Sequence, residues 1–228
     1  MAKIKLGPFA ADIRNRIGGV VFSKNSAGNY IRRGVTPVNP QSIAQQRVRQ
    51  FLTQTAQSWR DITDDERNNW NQVKDSFKRT DIFGNSLAPT GFNLFTRLNR
   101  NLLEVEEAVL TSAPLPVSVQ GFLTLVLTAD TTGGKITIDF TPAINTDTKV
   151  IVFATAAQSA GVSFVKAEFR KIVVLSTADP SPHELAGSYI AKFGALPPIG
   201  AKVFVQIKPI DIATGLSGTP IKASAIAT

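Results

Sequence analysis

Apolar and polar positions change rhythm twice along this chain. Residues 18–24 (Gly-Gly-Val-Val-Phe-Ser-Lys) and 30–35 (Tyr-Ile-Arg-Arg-Gly-Val) flank Asn25, Ser26, Ala27 and Gly28, a loop rich in residues that tolerate positive φ. The pattern predicts a β-hairpin. A hairpin this small is marginal in water, so it must lie on helices, on another sheet or on a neighbouring subunit.

A helical period follows. Asn39 and Pro40 offer an N-cap with proline at the first helical position. Beyond them, Ala44, Val48, Phe51, Thr55 and Trp59 recur every three or four residues and so share one face. Thr63 followed by Asp64, Asp65 and Glu66 is a capping box whose acidic first turn suits the helix dipole, and Trp70, Val73 and Phe77 continue one stripe. Residues 81–85 break the pattern. Pro89 and Thr90 then precede a heptad seam of Phe95, Leu98, Leu102, Val105 and Val109.

Pro114 and Pro116 end the helical pattern, and beyond them the period falls to two. Residues 122–128 and 135–141 enclose Thr132, Gly133 and Gly134, a hairpin signal. In Lys135-Ile136-Thr137-Ile138-Asp139-Phe140 the alternation is strict, which marks a strand with one wet and one buried face. Further β-rich runs cover 149–156, 164–176, 187–193, 201–210 and 220–227. About seven strands with turns between them fit a two-sheet sandwich of about 100 residues. The expected fold is therefore α+β: a basic arm, a β-hairpin and about three helices in residues 1–112, then an antiparallel sandwich of the immunoglobulin or fibronectin type III kind in residues 117–228.

Charge sharpens the division. The net charge is +8, and residues 1–50 alone hold nine basic side chains against Asp12. Such a local excess points to an acidic or polyanionic partner. Its members Arg14, Arg16, Lys24, Arg32, Arg33, Arg47 and Arg49 are the candidate partner-binding residues. They have little aromatic interleaving beyond Tyr30 and match no recognition-helix pattern, so base-specific reading is not expected. Cysteine is absent, which removes disulfides and thiolate sites. No run approaches the roughly 18 apolar residues of a membrane span, and the first residues lack the apolar stretch of a secretory signal.

Catalytic candidates are weak. His183 is the only histidine; Ser181 and Glu184 stand beside it, but a triad is assembled from separated positions and needs an oxyanion site, so a solvated loop histidine is expected. Asp61, Asp64, Asp65 and Glu66 lack the glycine and distant glutamate of a calcium loop, and helix capping accounts for them. Gly133, Gly134 and Lys135 resemble part of a phosphate loop, yet Ala129 and Ile136 occupy positions that such a loop needs as glycine and Ser/Thr. Trp59 and Trp70, with Phe51, Phe77, Phe92 and Phe95, sit at helical spacing and are expected in a core rather than as base-stacking platforms. Neither enzymatic activity nor a cofactor is expected.

The strings Ile17–Asn25, Gly28–Arg33 and Val35–Pro40, followed by Gln45-Gln46-Arg47-Val48-Arg49, Trp59, Thr63–Trp70 and Thr90–Phe95, resemble a group of proteins encoded in phage and prophage genomes. The likeness covers about residues 17–103; beyond it, such proteins vary and often look immunoglobulin-like. The resemblance implies a structural role in the virion or its assembly in the host cytoplasm: a head decoration, vertex, connector or tail-associated protein. Its expected partners are other virion proteins and copies of itself in a symmetric assembly, without membrane contact. It implies no catalytic residue. The alternative is a nucleic-acid-binding packaging protein acting through the basic segment. A receptor- or glycan-binding adhesin is a weaker third, since the predicted loops 177–184 and 212–219 carry no aromatic cluster.

Overall fold

A computed structural model describes residues 2–8, 10, 12–25 and 28–228. The fold is α+β, as the pattern implies, with N-terminal strands, helices and a C-terminal pair of antiparallel sheets. Contacts divide the chain into two compact units, Met1–Arg49 with Arg79–Leu87, and Gln50–Lys78 with Ala88–Thr228. The division by contact therefore does not fall at residues 113–116.

In the first unit, β1 (Ala2–Lys3), β2 (Asn15–Ile17), β3 (Val20–Asn25) and β4 (Gly28–Arg33) form one antiparallel sheet in the order β1-β4-β3-β2. The pair β3 and β4 is the hairpin read from the pattern; Ser26 and Ala27 of its turn lie outside the described residues. The stretch read as an arm adds the two short outer strands. β5 (Arg79–Thr80) and β6 (Ser86–Leu87) make a second small hairpin. Its turn is organised by Asp81, which accepts from the backbone N–H groups of Phe83 (2.8 Å) and Asn85 (2.9 Å) and from the Lys3 ammonium (2.9 Å). No described residue of this unit is buried as a whole.

α1 (Ile43–Asp61) begins later than Asn39 and Pro40 suggest, because Gln41 has φ 49° and interrupts any helix between them. Ser42 Oγ accepts from Gln45 N at 3.4 Å in their place. α2 (Asp64–Val73) starts with the expected capping box: Thr63 Oγ1 accepts from Glu66 N at 3.3 Å, and Glu66 Oε2 accepts from Thr63 N at 2.8 Å. A 3-10 turn over Lys74–Phe77 follows, and α3 (Gly91–Glu104) is capped by Thr90 Oγ1, which accepts from Asn93 N at 3.2 Å. Ile62, Trp70, Phe77, Leu94, Phe95 and Leu98 form the helical core. Trp70 and Trp59 each meet Phe95 edge to face at 5.2 Å, so both indoles are packing groups, as their spacing implies.

The heptad seam stops short of Val109. Glu106 has φ 62°, the helix ends at Glu104, and Val105 turns into a cluster with Ile151 and Ile210. The returning segment is tied down by polar groups. Buried Asn99 donates to Leu110 O (3.2 Å) and accepts from Leu110 N (2.7 Å), and Trp70 Nε1 donates to Thr111 O at 2.6 Å.

The C-terminal sheets contain β7 (Thr124–Asp130), β8 (Lys135–Thr141), β9 (Thr148–Ala154), β10 (Arg170–Leu175), β11 (His183–Glu184), β12 (Lys202–Asp211) and β13 (Ile221–Ile226). One sheet runs β11-β8-β7 and the other β10-β9-β12-β13, the strand order of a fibronectin type III sandwich. Ile136, Ile138, Val152, Leu175, Val203, Val205 and Ile207 are wholly buried between them.

Two expectations are corrected here. Residues 187–193, read as a strand, lie in helix α4 (Ala186–Phe193): Tyr189 and Phe193, one turn apart, stack at 4.6 Å, and Gly194 closes the helix at φ 89°. His183, read as a loop residue, pairs with Ile138 in the ladder.

Candidate functional site

The candidate surface is the N-terminal sheet. Residues opposite one another in an antiparallel ladder share a face, and neighbours along a strand alternate. The register sets Arg16 and Arg32 on either side of Val21, and Ile17 and Arg33 on either side of Val20. Phe22 lies opposite Asn15 and Ile31, and Ile31 opposite Ala2. One face thus carries Ile17, Val20, Phe22 and Ile31 together with Ala2, Asn15, Asn29, Lys24 and Arg33. The other carries Arg16, Arg32, Val21, Ser23, Tyr30 and Lys3.

The seven candidate residues therefore do not form a single patch. Arg32 and Arg33 are adjacent in sequence and point to opposite sides of the sheet, for the simple reason of the strand period. Arg14 is paired with Asp12 at 2.9 Å before β2 begins. Arg47 and Arg49 lie early in α1, where Arg49 donates to Asn39 Oδ1 at 2.6 Å.

The polar face has a shallow cavity of about 200 Å³ lined by Arg16, Val21, Arg32, Gly34, Val35 and Thr36. Arg16 Nε donates to Gly18 O at 2.7 Å, which bends its guanidinium over the turn between β2 and β3. Arg32, Arg33 and Lys24 form no side-chain hydrogen bond or ion pair among the described residues. Their donors are available to an outside acceptor.

The opposite face is open at Ile17, which is 69% exposed, and at Val20, whereas Phe22 and Ile31 are half-buried. The first half of α1 behaves likewise. Of its predicted stripe only Thr55 is buried, and Ile43, Val48 and Leu52 stand in solvent. The pattern alone marked that stripe as core, since period cannot say whether a helix has a partner. Exposed aliphatic side chains on both elements are features that the sequence reading missed.

The other candidates are occupied structurally. Ser181 Oγ donates to Asp139 Oδ1 at 2.6 Å and accepts from Phe140 N at 2.8 Å, so it braces β8 rather than facing His183. His183 Nδ1 lies 3.9 Å from Asp179. The Glu66 carboxyl is held below the usual range, first by the Thr63 backbone N–H and then by the Thr63 hydroxyl. Gly133 N donates to Asp130 Oδ1 at 2.7 Å in the turn joining β7 to β8.

No known protein family, curated protein or solved structure matches the chain.

Proposed function

We propose that this chain is a non-enzymatic structural component of a bacteriophage virion, a head decoration, vertex, connector or tail-associated protein, acting through contacts with neighbouring subunits. The observation that carries this reading is a four-stranded sheet with no buried residue, one face of which leaves Ile17 and Val20 exposed and Phe22 and Ile31 only half-buried. Small sheets need a covered hydrophobic face for stability, so a neighbouring surface completes this one. The first unit also carries ten basic against two acidic residues, which is the whole net charge of +8. A repeated shell or ring multiplies such individually weak contacts. The motif likeness over residues 17–103 supports a phage setting for these contacts.

Protein mass spectrometry of purified particles is the direct test. Copies of the chain at a stoichiometry set by particle symmetry are expected; particles without it would remove the reading.

Arg16 and Arg32, on one face with Tyr30, favour nucleic-acid contact as a second reading. Phosphate contacts weaken steeply with salt, by roughly tenfold or more across a few-fold salt increase when several phosphates are neutralised. Failure to retain DNA even at low salt removes this second reading.

A further inference from the structure

A cationic cavity lies in the second unit, far in sequence from the basic segment. Its volume is about 450 Å³, and Arg97, Leu98, Arg100 and Asn101 of α3 line it with Lys208 of β12 and Leu216 and Ser217 beyond it. That volume falls within the range of small-molecule sites.

Three positive side chains therefore converge on one cavity with no acidic residue in its lining. Arg97 is engaged in part, its guanidinium standing 5.8 Å from the centre of the Phe77 ring. Arg100 and Lys208 are in no ion pair and no side-chain hydrogen bond among the described residues. Lys208 is half-buried, and its ammonium is held below the usual lysine range, first by burial and then by the charge of Arg100, with Glu104 acting in the opposite direction. Like charges brought together beside a partly dry wall are destabilising unless an anion joins them.

The polar groups present are donors suited to an oxyanion. The planar guanidinium of Arg100 offers parallel N–H groups, Lys208 a point charge, and Ser217 a hydroxyl. Asn101 spends one amide hydrogen on Gly215 O at 2.9 Å and keeps the second. Gly215 is what lets this wall close. At φ 70° it approaches α3 so tightly that a Cβ there would stand 2.5 Å from Leu98 O.

We infer that the cavity between α3 and β12 binds a small phosphate-bearing anion through Arg100 and Lys208, with Asn101 and Ser217 as further donors. This site is independent of the proposed virion role. Free inorganic phosphates and the phosphate end of a nucleotide share the required chemistry.

The test uses the full chain with pyrophosphate and ADP as probes, each followed by calorimetry and by thermal melting against sodium chloride of equal ionic strength. Saturable binding of pyrophosphate is expected, with an upward shift in melting that chloride does not reproduce. ADP binding more tightly than pyrophosphate would assign the phosphate to a nucleotide, and the reverse order to a free phosphate; either is within the inference. Lys208→Met and Arg100→Gln should each weaken binding by about tenfold or more. Arg100 is exposed, so its variant folds even if that of Lys208 does not. The double variant Arg16→Ala, Arg32→Ala should bind pyrophosphate as the parent does. No saturable binding, an equal shift with chloride, or undiminished binding by Arg100→Gln would each overturn the inference. So would loss of binding only in the Arg16 and Arg32 variant, which would place the site on the N-terminal sheet.

Discussion

Lys3 and Asp81, 78 positions apart, meet at 2.9 Å, with the aspartate side chain only 5% exposed. The contact fastens the β5–β6 turn to the edge strand β1. Asp81 is held well below its ordinary value of 3.8, chiefly by the Lys3 ammonium and further by the N–H groups of Asn85 and Phe83. A carboxylate whose folded pKa is depressed contributes stability above its unfolded pKa, and that contribution is lost as pH falls toward the folded value. Amide protection at Phe83 and Asn85, corrected for intrinsic exchange, should thus hold at neutral pH and fall away below the ordinary value of 3.8. Asp81→Asn should lower that protection at neutral pH and flatten its pH dependence. Protection that persists unchanged into strong acid would show that the turn is held by other contacts.

Trp70 is fully buried, edge-on to Phe95, and its indole N–H reaches Thr111 O at 2.6 Å. Trp70→Ala should cost about 3–5 kcal/mol through the cavity it leaves. Trp70→Phe keeps most of the packing but strands the Thr111 carbonyl, and should cost about 1–3 kcal/mol. Chemical denaturation read by far-UV dichroism gives both. An unchanged midpoint for the alanine variant would contradict the burial.

Val105 ends α3 and packs on Ile151 and Ile210, while Glu107 pairs with Lys149 at 2.7 Å. A fragment of residues 117–228 retains the whole inter-sheet core and should unfold cooperatively. It should nevertheless melt below the full chain, because Ile151 and Ile210 lose their cover. Adding back residues 88–116 should recover most of the difference. A fragment without dispersed amide resonances would show that the sandwich cannot form without α3.

Gly215 needs both a left-handed backbone and an empty Cβ position against Leu98 O. Gly215→Ala should therefore destabilise the second unit by about 1–3 kcal/mol, measured as a shift in urea midpoint. Gly133 offers a contrast, since its φ lies outside the left-handed region and its nearest neighbour is the Asp130 side chain rather than backbone. Equal effects at the two positions would deny the special demand at Gly215.

What could be read in advance followed the range of the forces involved. Thr63 with Glu66, and Thr90, were legible because a cap is decided within four residues. Strands β7, β8, β9, β12 and β13 showed as period or as β-branched runs. The run 187–193 did not: a short apolar stretch suits either strand or helix, and stacking of Tyr189 on Phe193 with Gly194 as terminator decides it. Strands of two or three residues, such as β1, β2 and β11, owe their existence to partners distant in sequence. The basic segment stood out by composition, whereas its split into Arg16 with Arg32 and Lys24 with Arg33 required the register. Arg100 and Lys208 are joined only by tertiary packing, and nothing local announces them.

Cryo-EM of purified particles to side-chain resolution tests the assembly role most directly. The sheet should be found with the Ile17, Val20, Phe22 and Ile31 face covered by a neighbouring subunit, and with Arg16 and Arg32 against carboxylates or phosphates. Particles that lack the chain, or in which that face is left open to solvent, would contradict the proposal.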